Sequence, residues 1–318
     1  MFRIGFNEFG GPEVFTTIPA ELPTPKANQV LIKVVAFGIN PYDVRLRRGD
    51  YQKQRPLPWP IVPGTELAGI ISAIGSDVQD YQVGDRVMNY RPRGGYSEYV
   101  TASTAKIAKV PENLPLTVAA GTPNAGIAAF GVLELLHVEP GKTIVIEGAS
   151  GAVGSILIQA AKYRGLHVIA TCSSANHDLV LHLGADEVGL YDRENVAAKF
   201  PSVGDYVVNA VSNGQDGGAG AWMRKPASQY VTLTEPEFRP AGDDNFHVLG
   251  DNGPTDTAAA FSFLSELRTR AELYINIAET LPFSAQGVTE AHAKLDRHHP
   301  AGKYICTKDP NYSKHIQL

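Results

Sequence analysis

Apolar residues along this chain are grouped in two different ways, and the change falls near residue 117. In the first third, short apolar runs at 2–6, 30–38, 68–74 and 86–89 predict β segments. Breaks such as Gly10-Gly11-Pro12 and Ser76-Asp77 separate them. From about Thr117, residues 118–136 predict a helix interrupted at Pro123. Strands and helices then alternate, with strands at 143–147, 166–172, 187–191, 206–211, 230–233 and 246–249 and a helix through 177–183. Such alternation predicts an α/β fold built on a doubly wound parallel sheet, and the β-branched content of the strands suits burial on both faces. A helix at 255–271, a strand at 273–278, Leu281-Pro282-Phe283, a helix at 285–295 and a strand at 302–307 complete the pattern. That tail is too short for a domain of its own. It is expected to rejoin the N-terminal β region, giving a discontinuous domain of 1–120 and 272–318 around a nucleotide-type domain at 121–271. The Gly- and Asn-rich stretch 212–221 is the expected flexible loop, and 234–244 reads as a Pro- and Glu-rich insertion.

The most specific chemistry lies where the strand 143–147 ends. Gly148-x-x-Gly151-x-x-Gly154 follows it and leads into an amphipathic helix. A dinucleotide pyrophosphate needs that order: two glycines for the tight turn and close backbone approach, a third for packing of helix on strand. The helix start, with Ser150, Gly151, Ala152 and Val153, offers N–H groups and a partial positive charge to the phosphates.

Composition narrows the remaining classes. With 28 Lys+Arg against 33 Asp+Glu the formal net charge is −5, and no basic stripe points to nucleic acid. Apolar residues make up 43%, yet no run approaches the ~20 needed to span a bilayer. The N-terminus lacks the charged and apolar regions of a secretory signal, so a cytoplasmic protein is expected. Cys172 and Cys306 form no framework, and His298-His299 read as a solvated polar turn.

Further motifs carry a resemblance that runs nearly end to end. These are Gly38-Ile39-Asn40-Pro41-Tyr42-Asp43, Pro63-Gly64-Thr65-Glu66-Leu67-Ala68-Gly69, Val83-Gly84-Asp85-Arg86-Val87 and Gly94-Gly95-Tyr96-Ser97-Glu98-Tyr99. Leu183-Gly184-Ala185-Asp186, Ala291-His292 and Gly302-Lys303 join them. The chain resembles the medium-chain dehydrogenase/reductase superfamily and, within it, the zinc-independent quinone oxidoreductases of zeta-crystallin type. The resemblance implies a Rossmann-type domain plus a GroES-like β-barrel domain, a cleft between them for the acceptor, and a homodimer. Zinc-dependent members carry a cysteine soon after the glycine at Gly38 and a histidine where Thr65 stands, together with a four-cysteine lobe. This chain has none of them, so no metal is expected.

For the coenzyme, no acid follows the second strand before Asp178, while Ser173 and Ser174 offer hydroxyls; both are also suited to cap the next helix. NADPH is therefore expected over NADH. His177 stands where relatives often have Lys or Arg. The resemblance places Tyr191 and 209–211, with Asn209, along the adenosine and nicotinamide riboses, and Lys303 and Asn40 also against the coenzyme. Ala128 replaces a common threonine, leaving Asn124 as either a nicotinamide contact or a filler of the helix interruption.

Without zinc, the expected acceptor is a quinone or an α,β-unsaturated carbonyl, which takes hydride unaided. Asn40, Asp43, Arg45 and Tyr51 lie on the loop that lines the cleft in relatives. Asn40 is a candidate donor to the acceptor oxygen, Arg45 a stabiliser of enolate charge and Tyr51 a proton donor. Asp43 reads as a partner for Arg45 or Arg47, Tyr42 and Tyr51 as possible packing residues, and Glu66 and Asp85 as structural. Two alternatives share the fold: an enoyl-thioester reductase, and a non-catalytic NADPH-binding sensor.

Overall fold

The computed structural model describes residues 1–54, 56–234, 242–250, 255–271, 273–297 and 300–308. Residues 235–241 of the predicted insertion and the His298-His299 pair lie outside the described residues. Two compact units emerge, Met1–Asn124 with the described residues from Ile277 onward, and Ala125–Asn276. No helix among the described residues is long and apolar enough to cross a membrane.

The first unit begins with β1 (Phe2–Gly5), β2 (Thr16–Pro19) and the long β3 (Gln29–Ile39), followed by helix α1 (Pro41–Arg48). Strands β4 (Glu66–Ile74), β5 (Arg86–Tyr90), β6 (Tyr99–Ser103) and β7 (Ile107–Lys109) come next, then α2 (Leu116–Ala119); α3 (Pro123–Leu136) follows, with all but its first two residues in the second unit. In the second unit, β8 (Thr143–Glu147), α4 (Ala152–Tyr163), β9 (His167–Cys172), α5 (His177–His182), β10 (Glu187–Leu190) and α6 (Val196–Lys199) alternate. They are followed by β11 (Gly204–Asn209), α7 (Ala219–Met223), β12 (Arg224–Thr232), β13 (Phe246–Val248) and α8 (Thr257–Ala271). The chain then returns to the first unit through β14 (Ile277–Pro282), α9 (Ala285–Arg297) and β15 (Lys303–Thr307).

Among the described residues the second unit holds a six-stranded sheet in the order β10-β9-β8-β11-β12-β13, and every pairing in it is parallel. This is the doubly wound arrangement. Strand order reverses between β8 and β11, where Glu147 lies opposite Asn209. The first unit holds a sheet in the order β14-β15-β3-β4-β5-β7. Strand β3 organises it: β6 pairs along its first half, β15 along its second half, and β4 along the opposite edge, with bulges between Leu31 and Ile32 and between Val34 and Ala36. The core of this unit gathers Ile32, Val34, Phe37, Leu67, Ile71 and Val288, all buried.

The structure departs from the sequence pattern in several places. Residues 40–51 are not simply a loop, because 41–48 form α1. Pro41 occupies its first turn, the Asp43 carboxylate accepts the Asn40 N–H at 3.0 Å, and Gly49 ends it at φ +85°. Those are ordinary start and stop signals for a helix, here only eight residues long. The strand predicted at 273–278 is β14, displaced to 277–282. Tyr274 is held instead by the Gln159 side chain, which accepts its N–H at 2.8 Å and donates to its carbonyl at 2.9 Å. Strands β2, β6 and β7 carry too few consecutive apolar residues to stand out in the sequence.

Candidate active site

In the second unit, Gly148 has φ +66°, and a Cβ there would come 2.9 Å from the Ala210 carbonyl carbon and oxygen. Gly154 packs α4 on the turn, since its Cβ would meet the Gly148 oxygen at 2.5 Å and the Ala149 Cα at 2.7 Å. Gly151, the N-cap of α4, differs from both. Its backbone is extended at φ −69°, and a Cβ would meet only the Gly148 oxygen, at 3.2 Å. The protein thus needs glycine at 148 and 154 for its own packing, whereas at 151 the space is left beside the helix N-terminus. The first turn of α4, at Ala152 and Val153, supplies N–H groups that no helix can pair internally.

At the carboxyl end of β9, the Asn176 amide donates to Ser150 at 3.2 Å and to Ser173 at 3.0 Å, joining two residues of the predicted coenzyme edge through one that the sequence does not single out. The serine hydroxyls do not cap the next helix; that expectation is corrected. Ser174 donates through its N–H and its hydroxyl to Asp192, at 2.8 and 2.7 Å, and accepts from Arg193 Nε at 3.3 Å. Hence an acid does reach this edge. It arrives from after β10, where spacing from β9 gives no sign of it. His177 Nδ1 lies 2.9 Å from its neighbour Asp178. Tyr191 is exposed, with its N–H bonded to the Cys172 carbonyl at 3.1 Å. Asn209 is buried and committed to its own loop, donating to the Gly214 carbonyl at 3.1 Å and accepting the Val211 N–H at 3.0 Å.

In the first unit a buried polar cluster brings Asn40, Lys303 and Asn124 together around Glu66. Lys303 and Glu66 form an ion pair, the ammonium almost and the carboxylate fully withdrawn from solvent. Asn40 Nδ2 donates to Thr65 Oγ1 and to Glu66, each at 3.0 Å, and its Oδ1 accepts from Lys303 at 2.5 Å. The Asn124 N–H completes the set, donating to the second Glu66 oxygen at 2.8 Å; its side chain donates to Thr65 at 3.4 Å. Two expectations change. Asn40 has spent both amide hydrogens and cannot donate to an acceptor, although its oxygen retains a lone pair. Glu66, read from sequence as structural, is the centre of the cluster. Gly38 permits this, because a Cβ there would sit 2.3 Å from a Glu66 oxygen. A sequence signal existed in the paired oddity of a buried-strand glutamate and a buried-strand lysine, each of which requires a partner.

Asp43 is not an exposed partner of Arg45 or Arg47. It is fully buried and accepts from Asn40 N–H at 3.0 Å and Gly64 N–H at 3.1 Å. Burial pushes its carboxyl up to about 7 against the pull of those amides and the Tyr96 hydroxyl, with Glu66 adding repulsion. Arg47 instead pairs with Asp296 at 2.8 Å, fastening α1 to α9. Tyr42 and Tyr51 stack with ring centroids 5.0 Å apart, and the Arg45 guanidinium lies 5.7 Å from the Tyr51 centroid. Arg45 Nε is buried without a hydrogen-bond partner among the described residues. Burial raises the Tyr51 hydroxyl above its ordinary value and Arg45 opposes the rise, so the hydroxyl keeps its proton at neutral pH. Among the described residues, no three His, Cys, Asp or Glu side chains converge as metal ligands would.

Comparison with known proteins bears on the family. Residues 26–112 match the alcohol dehydrogenase GroES-like domain. The chain is 30% identical over 320 residues to a chloroplast envelope quinone oxidoreductase homolog of Arabidopsis thaliana, covering 95% of this chain and 92% of that protein. It is 38% identical over 171 residues to a probable quinone oxidoreductase of Schizosaccharomyces pombe, which is 53% of this chain and only about half, 51%, of that relative's length. A mycobacterial protein solved in complex with NADPH superposes with a TM-score of 0.82 at 25% identity, covering 96% of this chain and 100% of that one. The parallel sheet with its glycine turn and the GroES-like match define a medium-chain dehydrogenase/reductase fold. Within that superfamily, the chain belongs to the quinone oxidoreductase family.

Proposed function

We propose that this chain is an NADPH-dependent reductase of quinones or α,β-unsaturated carbonyls that works without zinc, as a homodimer joined along the β13 edge of the parallel sheet. The observation that carries it is the Gly148–Gly154 turn, which leaves room beside Gly151 and the first N–H groups of α4, next to the point where strand order reverses. That space fits a pyrophosphate. The relatives named quinone oxidoreductases and the mycobacterial complex with NADPH support the acceptor class and the coenzyme.

When bound, the coenzyme supplies hydride from nicotinamide C4, and a conjugated electron-poor acceptor takes it without a Lewis acid. Ser150, Gly151, Ala152 and Val153 hold the phosphates, while Ser173, Ser174, His177 and Tyr191 border the adenosine end. Asn209 shapes the neighbouring loop through its own backbone bonds. Asn40, Asn124 and Lys303 form the nicotinamide contacts, Asn40 as an acceptor and Lys303 through the N–H not used on Asn40 and Glu66. Zinc independence is supported by donor chemistry: Thr65 stands at the histidine position, and its oxygen already accepts from Asn40. Arg45 offers positive charge to the oxygen of the reduced acceptor, and Tyr51 offers a proton.

Coenzyme oxidation followed against a panel of quinones, enones and enoyl thioesters tests the proposal. Turnover on quinones or enones, unchanged by chelators, is the expected result. Tight NADPH binding with no turnover on any acceptor would turn the protein into a sensor. Preference for thioesters would move it to the enoyl reductases, and activity lost to chelators and restored by zinc would end the metal-free reading. A narrower prediction concerns Asp192, whose carboxylate stands on Ser174. Asp192→Asn should tighten NADPH a few-fold and leave NADH nearly unchanged, the gain shrinking with added salt. Equal changes for both coenzymes in a fluorescence titration would place the 2′-phosphate elsewhere.

A further inference from the structure

Glu147 is the last residue of β8, directly before the Gly148 turn, and the coenzyme proposal gives it no role. It is buried, and its Oε2 has no hydrogen-bond donor among the described residues. Helix α7 crowds onto that oxygen: a Cβ at Gly220 would lie 2.4 Å from it, so a glycine at 220 is what permits the approach. Asp216, in the segment between β11 and α7, converges on the same place, because the N–H of that same Gly220 donates to its Oδ2. Asp216 is well supplied with donors. Its Oδ1 accepts the Gly218 N–H at 3.1 Å, and its Oδ2 accepts the Gly220 N–H at 3.1 Å and the Tyr230 hydroxyl at 3.2 Å.

Two carboxyl groups that converge on one glycine, one of them buried with an unpaired oxygen, resist being ionised together and favour one proton held between them. The titratable groups that face Glu147 are Asp216 from the segment and Tyr230 from β12. Asn209 from β11 reaches Tyr230 as a neutral amide. None of these is a cation. Burial first, and Asp216 second, drive the Glu147 carboxyl far above the usual carboxylate range, so Glu147 is the member that keeps the proton. Its O–H then points to Asp216, whose oxygens already accept from three donors.

We propose that the proton shared by Glu147 and Asp216 latches the segment 212–220 onto the carboxyl end of the parallel sheet, and that its loss releases the segment and weakens coenzyme binding. The second half of that statement rests on the dinucleotide reading of the neighbouring glycine turn; the first half stands without it. The sign follows from proton counting. The latched form holds one proton more than the released form, in which the Glu147 carboxyl regains the ordinary affinity of a solvated carboxyl and ionises at neutral pH. Latching therefore weakens as pH rises. Release also leaves two negative charges beside a phosphate cradle, which lowers affinity in the same direction.

Glu147→Gln separates the outcomes, because its amide N–H donates to Asp216 at every pH. NADPH affinity and amide hydrogen exchange at Gly218 and Gly220 would be measured for both proteins from neutral to alkaline pH, the exchange without coenzyme and corrected for intrinsic rates. In the wild type, Kd should climb toward about tenfold per pH unit once the released form dominates, and protection at both glycines should fall in parallel. In Glu147→Gln both should stay flat. Matching exchange profiles in the two proteins would overturn the latch, whatever the coenzyme does. A latch seen by exchange in a protein that binds no NADPH at any pH would keep the latch and remove the dinucleotide reading. If Glu147→Gln does not fold, Asp216→Asn removes the like charge from the other side and serves the same comparison.

Discussion

Glu66→Gln should destabilise the protein by about 3–5 kcal/mol, the usual consequence of leaving one member of a buried ion pair without its partner. Among the described residues the Lys303 ammonium is partnered by Glu66 and the neutral Asn40 oxygen, and by no other anion. Glutamine preserves the shape and one acceptor for the Asn124 N–H, so the loss reports on charge rather than on a cavity. The double variant Glu66→Gln/Lys303→Met removes both charges at nearly constant volume. Because a buried pair repays little more than its own desolvation, the double variant should recover most of the loss and lie within about 1–2 kcal/mol of wild type. Urea unfolding of the four proteins gives the coupling, expected to exceed about 2 kcal/mol in favour of the intact pair. Additive losses would mean that Lys303 is neutralised elsewhere and that Glu66 is not the centre of the cluster.

That cluster marks the boundary of what the sequence made legible. The doubly wound sheet was readable because its strands are buried on both faces and separated by helices, so each appears as an apolar run with a break on either side. The glycine turn was readable because backbone approach can be met by few other residues. Asn40, Asn124 and Lys303 each stand out in the sequence, whereas their common partner Glu66 reads there only as a structural strand residue. Lys303 follows Glu66 by more than two hundred residues, and no local spacing joins strands β4 and β15, which meet only through β3. Asp192 is hidden for the same reason, reaching Ser174 across the end of adjacent strands. Asp43 is hard to read because its neighbours in sequence, Arg45 and Arg47, look like partners; Arg45, two positions on, leaves the helix on another face, and Arg47, four positions on, is taken by Asp296. Composition and period predict which backbone is buried. They do not predict which buried charges find one another.

The glycine turn offers a test in which packing and ligand approach come apart. Gly154→Ala puts a methyl group against the Gly148 oxygen and Ala149 Cα, both backbone atoms of the turn that no rotamer change can move. The helix must slide from β8, and the expected loss is about 1–3 kcal/mol in urea unfolding, as for other overpacked contacts. Gly151→Ala meets only one oxygen at 3.2 Å, on a backbone of ordinary extended conformation. Its stability should stay within about 1 kcal/mol of wild type, since a few tenths of an ångström relieve the contact. Coenzyme affinity should behave in the opposite order. The methyl group at 151 projects into the space left beside the α4 N-terminus, so NADPH should weaken by about tenfold or more in a protein that is otherwise sound, equivalent to about 1.4 kcal/mol. A stable Gly151→Ala that still binds NADPH as the wild type does would show that the phosphates do not approach this turn. A Gly154→Ala with unchanged stability would show that α4 does not depend on contact with the Gly148 carbonyl.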